Sequence, residues 1–320
     1  MNGKYNPQFK YKWPTEERLD ENKLQLDQIY EKLKGDTIKS DFKKLFVEKV
    51  DELYDRLNLI KACKKQDFDN ILKYNINIFG NFDNELLKTA KEKIFSNINQ
   101  DKEILGKILS LEEIQKAIEI HLLNKGIYGV DVVSNYTNLS RISITMGKKI
   151  KINIGKGAIF REKSLESVLA HEIDTHLIRY INGMKSGWEI FKSGTGYYLQ
   201  DEEGLAIRNS KKETPENYEK MSSYKKYYLA KESMNYNFSK IVELSKFLYP
   251  ERSLEGLFKT AIKIKKGITD TSKIDNGAVF LKNKVYFDGY TKINNRINKG
   301  NSVEKLIKGK LKINDLGFIV

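Results

Sequence analysis

Apolar residues recur at threes and fours along most of this 320-residue chain, the period of a helix with one buried face. The pattern predicts helices over Glu16 to Leu33, Asp41 to Lys61, Asn84 to Ile98 and Leu109 to Lys125. Their charged residues fall on outer faces: Lys44 and Glu48, or Lys88 and Glu92, are ordinary solvated pairs at a spacing of four. Beyond Gly126 the period changes to two. Arg141–Met146 and Lys149–Ile154 alternate apolar and polar residues across a Gly-Lys turn, which predicts a β-hairpin. Helical spacing returns with Leu165, Val168, Leu169, Ile173, Leu177, Ile178 and Ile181; Ser164 is placed to cap that helix and Asn182-Gly183 to stop it. Another helix opens at Asp201. Pro215–Leu248 reads as helical and rich in tyrosine, where rings at helical spacing serve packing. Ser253–Lys266 follows as helix, Val279–Tyr286 as strand, and Tyr290 onward as short helices.

Composition narrows the setting. With 40% hydrophobic residues and only four prolines, the chain can bury a substantial, mostly helical core. The single cysteine, Cys63, excludes an internal disulfide framework and fits a reducing compartment. Met1–Asn6 lacks an apolar signal core and no run reaches membrane-spanning length, so the expectation is a soluble, cytoplasmic protein without a membrane partner. The net charge of +14 comes mainly from lysine (only eight arginines) spread among 43 acids. That distribution lacks the concentrated basic stripe of a specific nucleic-acid binder, and attraction of acidic protein tails suits it better.

The chemistry is concentrated in His171-Glu172-Ile173-Asp174-Thr175-His176, which holds two of the three histidines. Two imidazoles and a carboxylate on one helix are the parts of a zinc hydrolase: two ligands and a general base. The usual histidine spacing of four leaves the rings about 40° apart around a helix, whereas the spacing here leaves them about 140° apart. A single-turn π-bulge absorbs one residue, so the sequence predicts a bulged helix with Asp174 or a neighbour inserted. The third histidine, His121, reads as a satisfied structural residue. A catalytic zinc takes three protein ligands and an open position. A glutamate of Asp201-Glu202-Glu203-Gly204 would supply the third, with the glycine permitting close helix approach.

His171 through Gly183, with Arg179 and Asn182 in place, and Glu203-Gly204-Leu205-Ala206 resemble the two motifs of the tyrosine carboxypeptidase family. That family includes the microtubule-associated tyrosine carboxypeptidases and the bacterial flavohemoglobin expression-modulating QEGLA-motif proteins. The resemblance covers residues 110 to 320, and a five-spaced histidine pair with a downstream glutamate is similar to that of dipeptidyl peptidase III. It implies Glu203 as the third ligand, one Zn2+ per chain held by His171, His176 and Glu203, and Glu172 as the general base. Two positions depart from the family: Asp174 stands where it has glycine, and Leu281-Lys282-Asn283 replaces its Thr-Lys-Asp. Asp174 would then orient a ligand histidine or face solvent.

The expected fold is α+β and mostly helical: a zincin-like catalytic domain over 106–320 with the bulged helix and a small sheet, preceded by an N-terminal helical region over 1–105. The expected function is removal of C-terminal, tyrosine-like residues from peptides or proteins. The hairpin edge would accept an extended substrate. A terminal carboxylate needs a cation, for which Lys282 stands first, then Lys266 and Arg179. Tyr197, Tyr198, Tyr286 and Lys282 are candidate donors to the developing oxyanion. The alternatives are a metal-binding regulatory protein without turnover and a zinc aminopeptidase or endopeptidase. The sequence leaves the oligomeric state open.

Overall fold

The alternation at 141–154 folds as a hairpin, but within a larger sheet. In the computed structural model, which describes residues 5–35, 40–96, 103–135, 140–155, 157–216, 218–273 and 277–318, the strands are β1 (Val130–Asn135), β2 (Ile142–Thr145) and β3 (Ile150–Gly155). Met1–Lys4 and Ile98, used in the sequence reading, lie outside those residues. β2 pairs antiparallel with β3, with Ile142 opposite Ile154 and Ile144 opposite Ile152. β1, which the sequence reading missed, pairs parallel with β3 and makes it the central strand.

Among the described residues, four α-helices come first: α1 (Glu16–Gly35), α2 (Ser40–Lys65), α3 (Phe68–Phe79) and α4 (Asn84–Phe95). A fifth, α5 (Leu111–Asn124), begins with a reciprocal capping box between Ser110 and Glu113. After the sheet, α6 (Glu162–His171) runs without interruption through a π-helical segment, Glu172–Leu177, into α7 (Ile178–Lys185). The helix therefore starts before Ser164, which is not its cap. It also continues through Gly183, whose missing side chain leaves room for the Phe191 carbonyl rather than a stop. The rest is α8 (Glu189–Ser193), α9 (Leu199–Lys212), α10 (Ser222–Glu232), α11 (Phe238–Leu248), α12 (Leu254–Ile264) and α13 (Val285–Asn298).

The strand expected at Val279–Tyr286 is absent. Ala278–Phe280 is a buried connection, and Leu281–Lys284 forms a 3₁₀ turn that leads directly into α13. Its local bonds explain the difference. Phe280 N–H donates to Ile264 O at 2.8 Å and Leu281 N–H to Asn75 Oδ1 at 3.1 Å, so these amides are satisfied by neighbouring helices rather than by a sheet.

Two cores flank the motif helix and its surroundings. In one, Ile152 and Ile154 of β3 and Ile114, Ile118 and Leu122 of α5 enclose Leu165, Leu169, Ile173 and Leu177 of the motif helix. In the other, Leu59, Ile71 and Phe79 from α2 and α3 pack with Phe238, Ile264, Leu281 and Val285. Helices before residue 105 thus share a core with helices after 229. Among the described residues, no helix is long and apolar enough to cross a membrane.

The crossing of α9 and α13 sets where Glu203 lies. A Cβ on Gly204 would be 2.2 Å from the Gly289 carbonyl carbon, and one on Gly289 would be 1.9 Å from Gln200 O. Only glycine on both helices permits this approach, which carries Glu203 and Tyr286 into one site. Gly204→Ala should therefore cost about 3 kcal/mol or more, the upper end of overpacking effects. Gly147→Ala, where a Cβ meets nothing within 4 Å, should stay within about 0.5 kcal/mol. Urea denaturation midpoints of the two variants test the contrast.

Candidate metal centre

The five-residue histidine spacing is absorbed as expected. Glu172–Leu177 is a π turn, and Thr175 Oγ1 donates to Ala170 O at 2.9 Å inside it. Asn209 Nδ2 of α9 donates in turn to Thr175 Oγ1 at 3.0 Å, tying the bulge to the helix that carries the glutamates. The widened turn brings the rings of His171 and His176 to 5.0 Å between centroids.

Both rings face Glu203. His171 Nε2 lies 3.5 Å and His176 Nε2 3.6 Å from Glu203 Oε2. That oxygen is buried without a hydrogen-bond partner among the described residues. One ligand atom from each of the three residues lies within 4.8 Å of the others, a set that could hold a metal ion. The donor types, two imidazoles and a carboxylate, fit zinc. Glu203 is held well below the usual carboxylate range; burial opposes this, but both histidines and Lys282 outweigh it.

Glu202 is not a fourth member of this set. Its Oε1 approaches the other nitrogen of His176, Nδ1, at 3.4 Å. Arg179 Nη1 at 3.6 Å and Lys310 Nζ at 3.7 Å flank the same oxygen. Burial opposes ionisation, yet His176, Arg179 and Lys310 hold the Glu202 carboxyl down at about 2. A carboxylate on the outer nitrogen fixes the tautomer and ring orientation of a ligand histidine. Asp174 has no such role. It accepts from His121 Nε2 at 2.8 Å and from Lys125 Nζ at 3.1 Å, so the third histidine clamps α5 to the π turn.

The expected substrate cations separate. Lys282 lies at the site, its Nζ 3.7 Å from Glu203 Oε1 and its side chain partly exposed, although on a 3₁₀ turn and not a strand. Lys266 is elsewhere, exposed over the Phe280 ring at 5.1 Å. Arg179 is unsuited to bind substrate because it is 0% exposed. Its Nε donates to Leu306 O at 2.9 Å and Gly309 O at 2.8 Å, and its Nη2 to Leu311 O at 2.6 Å. It pins the C-terminal segment that delivers Lys310 to Glu202.

Of the candidate oxyanion donors, Tyr197 is spent on Asp55, at 2.9 Å, and the Tyr198 ring fills the space beside Gly194. Tyr286 is at the centre. Its ring stacks on His171 at 6.3 Å and 22°, and burial first, then the charges of Glu203 and Glu172, push its phenol well above the ordinary value.

Two lysines of the tyrosine-rich segment were missed from sequence. Lys226 lies 3.7 Å from the Tyr286 ring centroid, and Lys220 reaches Ser167 of the motif helix and Ser210 of α9. Nothing in a chain with lysine throughout distinguishes these two in the sequence; only the fold brings them to Glu172 and Glu203.

A bulged helix offering two histidines and a glutamate, completed by a glutamate from a crossing helix, makes a mostly helical α+β frame around a donor set that could hold a metal ion. The model of the microtubule-associated tyrosine carboxypeptidase family matches residues 1–320, and the chain belongs to that family. The mouse (Mus musculus) protein MATCAP2 is 27% identical over 235 residues, covering 70% of this chain and 42% of its own length. Microtubule-associated tyrosine carboxypeptidase 1 from mouse and from rat (Rattus norvegicus) is 25% identical over 217 residues, 65% of this chain and 44% of each relative. The chain thus spans less than half the length of these curated relatives.

Arg179→Met leaves Glu202 buried without its guanidinium and frees three carbonyls, so it should cost about 3–5 kcal/mol. Lys266→Ala should change stability by no more than about 0.5 kcal/mol. Urea unfolding of the metal-free proteins tests both.

Proposed function

We propose that this chain is a zinc-dependent carboxypeptidase that removes tyrosine-like residues from the C-termini of peptides or proteins. The observation that carries the reading is the convergence of His171, His176 and Glu203, with Glu172 adjoining His171 on the same bulged helix. Family membership supports the direction of cleavage and the aromatic preference. His171, His176 and Glu203 would hold the zinc ion, which when bound supplies a Lewis acid for the peptide carbonyl and raises the acidity of water.

The chain's own groups then have distinct tasks. Glu172 accepts the proton of the attacking water and later delivers it to the departing amine. Half buried and without an ion-pair partner within 4 Å among the described residues, its carboxylate is free to do so. Tyr286 and Lys282 flank Glu203 and are positioned to donate to negative charge developing on the carbonyl oxygen. Glu202 orients His176, and Arg179 and Lys310 hold Glu202 in place. The site is also strongly cationic. Arg141, Lys220, Lys226, Arg252 and Lys263 influence one another around Glu172 and Glu203, a field that suits an acidic substrate tail.

Purified protein should carry about one zinc per chain, and His171→Ala, His176→Ala or Glu203→Ala should each release it. Glu202→Ala should weaken zinc affinity by about 10–100-fold without abolishing it. Metal analysis that finds full zinc in Glu203→Ala would remove this residue as a ligand. Glu172→Gln should keep zinc and lose activity by about 10²–10⁴-fold. For direction, wild-type protein should cut a peptide ending in free tyrosine and its N-acetylated copy, and spare the C-terminal amide. Equal cleavage of acid and amide would point to an endopeptidase, and loss on acetylation to an aminopeptidase.

A further inference from the structure

We propose that the substrate's terminal carboxylate is anchored by Lys220, assisted by the charge of Arg141, and not by Lys282. This inference rests on the carboxypeptidase reading above and adds the residues that make the site exclusive to chain ends.

The covalent structure of a C-terminal residue restricts where its anchor can stand. The carboxylate carbon is two bonds from the nitrogen that leaves, about 2.5 Å away. Glu172 must approach that nitrogen to roughly 3 Å to return the proton. The carboxylate is therefore confined to the neighbourhood of Glu172, and its cation must face the same place. The charge of Glu172 acts on Lys220 and on Arg141. Lys282 instead approaches Glu203 Oε1 on the ligand side, where a cation serves the carbonyl oxygen. Lys226 is also on that side, over the Tyr286 ring.

Lys220 is held as a built group. Its Nζ donates to Ser167 Oγ at 2.7 Å and to Ser210 Oγ at 2.6 Å. Ser167 precedes His171 by four residues on α6, and Ser210 follows Glu203 by seven on α9. Both spacings return to the same helix face, so the ammonium is fixed about one turn along the motif helix from His171. Both partners are neutral. Among the described residues no carboxylate lies within 4 Å of Lys220, and two of its three ammonium hydrogens are used. Arg141, at the exposed rim, directs Nη1 to Ile159 O at 3.3 Å and makes no ion pair among the described residues. The ammonium braced by two neutral hydroxyls, within reach of the charge of Arg141, offers a receptor for an anion with two oxygens. Burial, and after it the repulsion of Arg141, Lys226 and Lys211, pulls the Lys220 ammonium down to about 7, as expected of a cation lacking a counter-charge.

The experiment compares zinc-loaded wild type, Lys220→Met, Lys220→Arg, Arg141→Gln and Lys282→Met on one N-acetylated peptide ending in tyrosine, as free acid and as amide. Zinc content and thermal midpoint are read for every variant. Lys220→Met should raise KM for the free acid by roughly 10- to 100-fold, the loss of one charged hydrogen bond, and bring its kcat/KM close to that of the amide. Lys220→Arg should restore most of the preference for the acid. Lys282→Met should lower kcat and leave KM and the acid preference nearly unchanged. Arg141→Gln, a rim change outside the core, should reduce the acid preference by several-fold; if Lys220→Met does not fold, this variant and Lys220→Arg decide the matter. Unchanged acid preference in Lys220→Met or Arg141→Gln, or its collapse in Lys282→Met alone, would overturn the assignment. Wild-type protein that cuts acid and amide equally, or neither, would instead overturn the carboxypeptidase reading, and the anchor with it.

Discussion

Asp201, Glu202 and Glu203 are three successive carboxylates on α9, and all three are buried. Removing such charges from water costs several kcal/mol each unless partners surround them. Because consecutive residues on a helix point in different directions, each acid draws its own partners. Asp201 takes Lys292 from α13 and the Ile313 amide, at 2.7 Å each. Glu202 takes His176, Arg179 and Lys310. Glu203 takes both histidines and Lys282. The motif helix, α13, the 3₁₀ turn and the C-terminal segment therefore meet around one turn of α9, and the candidate metal centre is where these requirements converge. The N-terminal helices brace the same turn from behind. Leu45 of α2 packs with Ile190, Phe191 and Leu311, and Glu48 pairs with Lys312.

What could be read from the sequence follows from which constraints are local. The bulge was legible because helix geometry leaves no other way to bring His171 and His176 onto one ion, and the structure has the π turn at that place. The hairpin was legible because Ile142, Ile144, Ile152 and Ile154 alternate, and the register pairs those positions. Val279–Tyr286 misled because a short apolar run buried on all sides has no period of its own; the helix became visible only as Leu281, Val285 and Gly289 recurred at fours. β1 was missed because its partner is the far strand of the hairpin, β3, with β2 between them in sequence, so nothing adjacent in sequence announces the parallel pairing.

The charged residues show the same division more sharply. Glu203 could be grouped with the histidines, where the structure has it, because its neighbour Gly204 marks a close helix approach and the motif around it resembles a known family. Arg179 was misassigned because its contacts lie 127 to 132 residues away, in the carbonyls of Leu306, Gly309 and Leu311. Lys220 and Lys226 went unnoticed for the same reason. A lysine's role depends on what surrounds its ammonium, and in both cases the surroundings come from other helices.

Helices take up residues only in whole units, so the extra residue of the π turn makes motif length a discrete trait. The half before the bulge is held by Leu165 and Leu169 in the core with the sheet, and the half after it by Arg179 in the C-terminal segment. Deleting one residue between the histidines would rotate these halves against each other by about 100°, and one set of anchors would have to release. No series of point substitutions bridges the two lengths. In this scaffold the five-residue spacing thus changes only by gain or loss of a whole residue, with one set of anchors rebuilt at the same step.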